Sequence, residues 1–209
     1  MYRRRRLDVL LFVLGALILL GTMAMASGEV VPAWEEAVFH AVNGLPGFVY
    51  PVVWPLMQYG TFITIPLVTI AGLVTRQWRF AIVSLVTGVG IYFLAKMIKL
   101  VVDRGRPGAE LEGAMELRGI GKLGYGFPSG HAAVSAALAV IAYAYLPPLW
   151  YRISIALAVI VSFGRVYVGA HLPLDVVGGA ALGVAVASAM NLILGVPVRP
   201  PIREPAPTV

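Results

Sequence analysis

Cysteine is absent from all 209 residues. That excludes disulfide staples, thiolate nucleophiles and any metal site built on sulfur. Charge is scarce too: Asp, Glu, Lys and Arg make up 12% of the chain, against about a quarter in a soluble domain. Histidine occurs at positions 40, 131 and 171 alone, so imidazole chemistry has few places to sit. What fills the chain instead is apolar side chain, 59% of it, in runs long enough to lie in lipid. One membrane domain over 1–196 uses up the length. The Pro-rich tail 197–209 is expected to be cytoplasmic and disordered.

Six segments have the length and composition of a span: roughly Leu7–Ala26, Pro51–Val74, Trp78–Val101, His131–Leu146, Leu149–Tyr167 and Pro173–Leu194, the fourth being short. Lipid cannot satisfy open backbone groups, so these segments read as helices and the fold class as all-α, polytopic, with six transmembrane helices. Ala24-Met25-Ala26 loosely resembles a signal-peptide cleavage site, but the later spans favour an uncleaved first helix. With the N-terminus inside, Arg3–Arg6, Arg76, Arg79, Arg152, Arg199 and Arg203 fall on inner segments, while the outer Ser27–Tyr50 loop holds Glu29, Glu35 and Glu36 and no cation. That asymmetry puts both termini in the cytoplasm and the protein in the inner (cytoplasmic) membrane.

The net charge of +6 forms no face on a soluble fold, so nucleic acid is not an expected partner; the bilayer is. Arg3–Arg6 reads first as a topology signal, a role compatible with contacts to anionic head groups. Pro32–Asn43 reads as a short amphipathic helix at the outer interface, anchored by Trp34 and Phe39. Asp103–Pro128, the long loop between the third and fourth helices, breaks the charge trend by placing Arg104, Arg106, Arg118 and Lys122 on the outer face. Arg104 and Arg118 are expected to be solvated there. In the last helix, Gly179-x-x-x-Gly183 suits close helix packing.

Three clusters lie at the outer ends of predicted helices: Lys99 through Arg106-Pro107, Phe127-Pro128-Ser129-Gly130-His131, and Gly164-Arg165 with His171 and Asp175. Phosphate-ester cleavage needs positive charge on the non-bridging oxygens, an in-line nucleophile and a proton for the leaving oxygen. Lys99, Arg106 and Arg165 supply the field, the arginines as planar forks. Lys99 and Arg106 share a helix face if the helix persists, although Pro107 marks its end. Ser129 and Gly130 precede a helix whose N–H groups favour an anion, and Ser129 reads equally as an N-cap. A lone membrane histidine is as often packing as function, but His131 and His171 sit beside arginines on one face. Asp175, four residues after His171, reads either as its carboxylate partner or as a helix cap.

On these motifs the chain resembles the type 2 phosphatidic acid phosphatase superfamily, the lipid phosphate phosphatases. Lys99 with Arg106-Pro107 matches the first motif, Pro128 to His131 the second, and Arg165, His171 and Asp175 the third. Gly164 departs from the family, which has serine there. The resemblance implies His171 as nucleophile, His131 as general acid and then base toward water, and phosphate binding by Lys99, Arg106, Ser129, Gly130 and Arg165. It implies undecaprenyl pyrophosphate, phosphatidylglycerol phosphate or phosphatidic acid as substrate. No cofactor or metal is expected: His131, His171 and Asp175 could imitate a facial metal triad, but the cations beside them repel a divalent ion. A phosphotransferase with a sugar or lipid acceptor, a non-catalytic lipid-binding or transport protein, and a haloperoxidase are the alternatives. Oligomeric state stays open.

Overall fold

The computed structural model describes residues 2–28, 30–119 and 121–198; Glu29, Arg199, Arg203 and the tail expected to be disordered from 199 onward lie outside them. The chain runs through α1 (Arg6–Ala26), α2 (Ala33–Asn43), α3 (Tyr50–Met57), α4 (Thr64–Val74), α5 (Trp78–Val102), α6 (Pro107–Glu110), α7 (Gly130–Tyr145), α8 (Pro148–Tyr167) and α9 (Pro173–Leu194). Two short strands, β1 (Tyr2–Arg3) and β2 (Val196–Pro197), pair antiparallel and tie the two ends of the described chain together.

Four helices, α1, α5, α8 and α9, are long and apolar enough to cross a bilayer. α7 is apolar but has only 16 residues. Leu10, Leu17 and Leu20 on α1 and Met97, Leu100 and Val101 on α5 are exposed. Outward-facing aliphatic side chains of this kind suit a lipid surround. The buried charge on α1 is paired: Asp8 accepts from Arg5 Nε at 2.7 Å and from Asn191 Nδ2 at 3.0 Å.

The second expected span, Pro51–Val74, is not one helix. It breaks into α3 and α4, bent by 64°, and the pair makes a fifth span if counted as one. The cause is local. Pro55 and Pro66 cannot donate to a helical ladder, and Gly60 with Thr61 interrupts it. The freed Gln58 carbonyl is satisfied by the Thr61 hydroxyl at 2.6 Å and the Thr64 hydroxyl at 3.0 Å, which makes a break tolerable in an apolar setting. The break brings Gly60 against the His131 backbone, where a Cβ would come within 2.7 Å of the His131 carbonyl.

α9 is the central helix, packed on α1, α5 and α7. Its glycines allow this. A side chain on Gly179 would collide with the Ser129 carbonyl, and one on Gly183 with the Ala133 carbonyl. The small-residue pattern thus sets α9 directly against the start of α7, where the second motif lies.

Candidate active site

Helix ends bring the motif side chains together. Lys99 and Arg165 sit in the last turns of α5 and α8, whereas α7 begins at Gly130 and α9 at Pro173. α5 starts beside the strand pair, with Arg79 stacked 3.6 Å from the Tyr2 ring, and carries Lys99 toward its far end, about 32 Å from its start. The motif cluster and the paired strands therefore occupy opposite ends of the bundle. Two helix N-termini add partial positive charge to that of the cations.

His171 lies in the short turn between α8 and α9 and is 4% exposed. Its backbone N–H bonds to the Arg165 carbonyl at 3.2 Å, and its Nδ1 is 3.4 Å from Asp175 Oδ2. Asp175 is fully buried and does both things the sequence allowed. Its Oδ2 accepts from the Leu172 N–H at 2.9 Å, closing the first turn of α9, while the same carboxylate faces His171. Its backbone carbonyl accepts from the Ser129 N–H at 2.8 Å, which locks the second motif onto the third. Gly126 passes so close that a Cβ there would lie 2.8 Å from Asp175 Oδ2.

Burial, and then the charges of Arg165, Lys99 and Arg106, hold His171 well below the ordinary histidine range, with the Gly126 backbone acting the other way. A lowered pKa means that His171 takes up a proton only at more acid pH, so the unprotonated, nucleophilic form persists below about 6.5. We expect kcat/KM to show no loss from His171 protonation between about pH 7.5 and 6.5. An acid limb with its midpoint at or above 6.5, coinciding with the titration of the His171 ring followed by NMR, would contradict this.

The remaining motif residues close around the histidines. Lys99 Nζ donates to the Tyr125 and Gly126 carbonyls at 3.1 and 3.3 Å. Arg165 and Arg106 act electrostatically on both His131 and His171. α5 ends at Val102 with Asp103 in the left-handed region, so Lys99 and Arg106 do not share a helix face; Arg106 returns to the site through the loop. Ser129 stands at the N-cap position of α7, but its hydroxyl makes no cap bond and is fully buried. Gly130 faces open space. Among the described residues, eight buried side-chain polar atoms have no hydrogen-bond partner, and four of them meet here: Arg106 Nε, Ser129 Oγ, Arg165 Nε and His171 Nδ1. With His171 Nδ1 turned to Asp175, the other three are buried donors without acceptors, and their concentration beside cations fits an oxyanion.

Two residues escaped the sequence reading. Arg104, expected to be solvated, is buried and bridges Glu35 to Asp175 Oδ1, the latter at 3.1 Å. Glu35, fully buried on α2, also accepts from the Leu174 N–H at 2.8 Å and so caps α9. The available signals were a cation against the topology trend and the four-residue spacing of Glu35 to Phe39, which puts both on the inner face of α2. Arg118 is not solvated either. It stacks 4.2 Å from the Tyr167 ring and donates to the carbonyls of Asn43, Leu45 and Tyr167, as a staple away from the histidines. The Gly164 departure has a packing reason: a Cβ there would lie 2.5 Å from the Met57 side chain, which occupies the notch.

The arrangement defines a class: a helical, multi-pass membrane protein with a polycationic, two-histidine anion site at one end of its bundle. Residues 78–196 match the model of the PAP2 superfamily, and the chain belongs to that family. It is 32% identical over 143 residues to an undecaprenyl-diphosphatase of Sulfolobus acidocaldarius, which covers 68% of this chain and 66% of that one. It is 44% identical over 61 residues to a lipid A 4'-phosphatase of Bacteroides thetaiotaomicron, covering 29% of this chain and 27% of the relative. The chain thus spans just under two thirds of the first relative's length and about a quarter of the second's. Among solved structures, the PAP2-type phosphatidylglycerolphosphate phosphatase of Bacillus subtilis superposes with a TM-score of 0.67 at 25% identity, over 85% of this chain and 94% of that one. Aquifex aeolicus LpxE shares the fold, with a TM-score of 0.64 at 21% identity, over 77% and 98% of the two chains.

Proposed function

We propose that the protein is a lipid phosphate or diphosphate phosphatase that works through a phosphohistidine on His171, without a metal ion. The observation that carries this reading is the meeting of unpartnered buried donors, three cations and two histidines at one end of an apolar helical body. Asp175 faces Nδ1 of His171, which leaves Nε2 to attack phosphorus. Lys99, Arg106, Arg165, the Ser129 hydroxyl and the α7 N-terminus at Gly130 hold the non-bridging oxygens. His131 protonates the leaving oxygen, then takes a proton from the water that hydrolyses the phosphohistidine. The cations already supply the positive charge that a metal would bring, and among the described residues no three His, Asp or Glu side chains converge as ligands.

The same reading takes α3–α4 and α7 as spans, making six, with α2 at the outer interface. Both termini are then cytoplasmic and the site faces outward, in the cytoplasmic membrane of the cell. The names of the relatives support undecaprenyl diphosphate and phosphatidylglycerol phosphate as candidate substrates, and phosphatidic acid joins them by the motif resemblance.

The test is phosphate release by the purified full chain in detergent from each of these lipids, with and without chelator and vanadate. We expect turnover of at least one lipid, unchanged by chelator and suppressed by vanadate as a phosphate mimic. Activity lost with chelator and restored by one metal overturns the metal-free scheme. Phosphate delivered to an added sugar or lipid acceptor rather than to water makes the protein a phosphotransferase.

A further inference from the structure

A cavity of about 290 Å³ opens off the site between α5, α7 and the break between α3 and α4. Its upper wall is Lys99, Gly130 and His131, and its lower wall includes Ile91, Phe62 and Val134. One more charged residue lines it, Lys96, which belongs to no motif. Lys96 and Lys99 are three apart on α5, so their side chains stack on one face with Cβ atoms about 5–6 Å apart. Lys96 is the deeper of the two, two turns inside the α5 terminus. Lys96 is exposed, and its long stem lets the ammonium serve the cavity while reaching toward the helix end.

From this placement we infer that Lys96 binds the lipid-linked phosphate of a diphosphate substrate and selects diphosphate lipids over monophosphates. The inference rests on the phosphohistidine reading above. His131, the donor to the leaving oxygen, forms part of the cavity wall, so the leaving group departs on the cavity side. Whatever is bonded to the leaving oxygen therefore lies beside Lys96. In a monophosphate that neighbour is a hydrocarbon carbon, which gains nothing from an ammonium. In a diphosphate it is a second phosphorus with its own anionic oxygens, which Lys96 neutralises in the ground state and more strongly as charge builds up on departure.

The step balances. His171 Nε2 forms a bond to the terminal phosphorus, and the bond from that phosphorus to the bridging oxygen breaks. The electron pair stays on the bridging oxygen, and His131 gives it a proton. The product leaving through the cavity is a lipid monophosphate. Water then attacks the phosphohistidine, returning a proton to His131 and releasing inorganic phosphate.

The experiment compares a prenyl diphosphate with the prenyl monophosphate of the same chain length, using the purified full chain in detergent. Wild type is expected to favour the diphosphate. Lys96→Gln should lower kcat/KM on the diphosphate by about 10- to 100-fold and on the monophosphate by less than about threefold, while Lys96→Arg keeps most of the preference. Equal losses on both lipids, or no loss on either, overturn the role of Lys96 and leave the phosphatase reading standing. A wild-type protein that hydrolyses neither lipid, nor any other in the panel, overturns that reading and this inference with it. Lipid-stimulated unfolding temperatures, measured with each substrate, separate a misfolded variant from a selective one.

Discussion

Replacing His171 by glutamine is expected to lower kcat/KM on every lipid substrate by on the order of 10⁴-fold or more, with the fold intact. The magnitude follows from what is lost. Glutamine keeps a polar group of similar reach but has no lone pair able to form a phosphoryl–nitrogen bond at useful rates. The buried carboxylate of Asp175 keeps its bonds to Arg104 and the Leu172 N–H, so the helix start that orients the site survives. His131 is poorly placed to take over, because it lines the cavity beside Lys96 and, among the described residues, pairs with no carboxylate. Rapid quench into alkaline detergent with radiolabelled terminal phosphate should trap an acid-labile, base-stable phosphoenzyme in wild type and none in His171→Gln. Retention of more than a few per cent of activity, or an unchanged labelled species, would move the nucleophile elsewhere.

The family was legible because its motifs are carried by rare residues at short spacing. In a chain with three histidines and little charge, Arg165, His171 and Asp175 within one helix-turn-helix stretch could hardly be accidental. The long spans were legible for a similar reason: apolar runs in lipid have few other solutions, and α5, α8 and α9 begin and end close to their sequence limits. The second span misled because composition reports apolarity and not continuity. Pro55, Gly60 and Pro66 are tolerated singly in membrane helices, and only together, with Thr61 and Thr64 to satisfy Gln58, do they turn the chain. The polar network around Asp175 was illegible in principle. Glu35 and Arg104 are 69 residues apart, and nothing local in either segment says that they meet.

That network sets the second large expectation. Arg104→Ala should destabilise the folded protein by about 3–5 kcal/mol, because it leaves Glu35 and Asp175 as uncompensated buried carboxylates. The two carboxylates are fully buried, so little solvent screening discounts the effect. Activity should fall as well, by about 100-fold or more, since Asp175 then turns from fixing the His171 ring toward repelling a substrate phosphate. Arg104→Lys should restore only part of either quantity: one ammonium cannot span two carboxylates as a planar fork does. Glu35→Gln should cost less, because the amide still accepts from the Leu174 N–H and Arg104 keeps Asp175. The decisive measurement is the double variant Glu35→Ala with Arg104→Ala. If the three residues act as one unit, its unfolding temperature in detergent sits well above the sum of the single losses, since removing both partners leaves fewer unpaired charges than removing one. Additive losses would mean that α2 and the loop after α5 stabilise the bundle independently. The Glu35–Arg104–Asp175 chain would then be packing and not a device that positions the nucleophile.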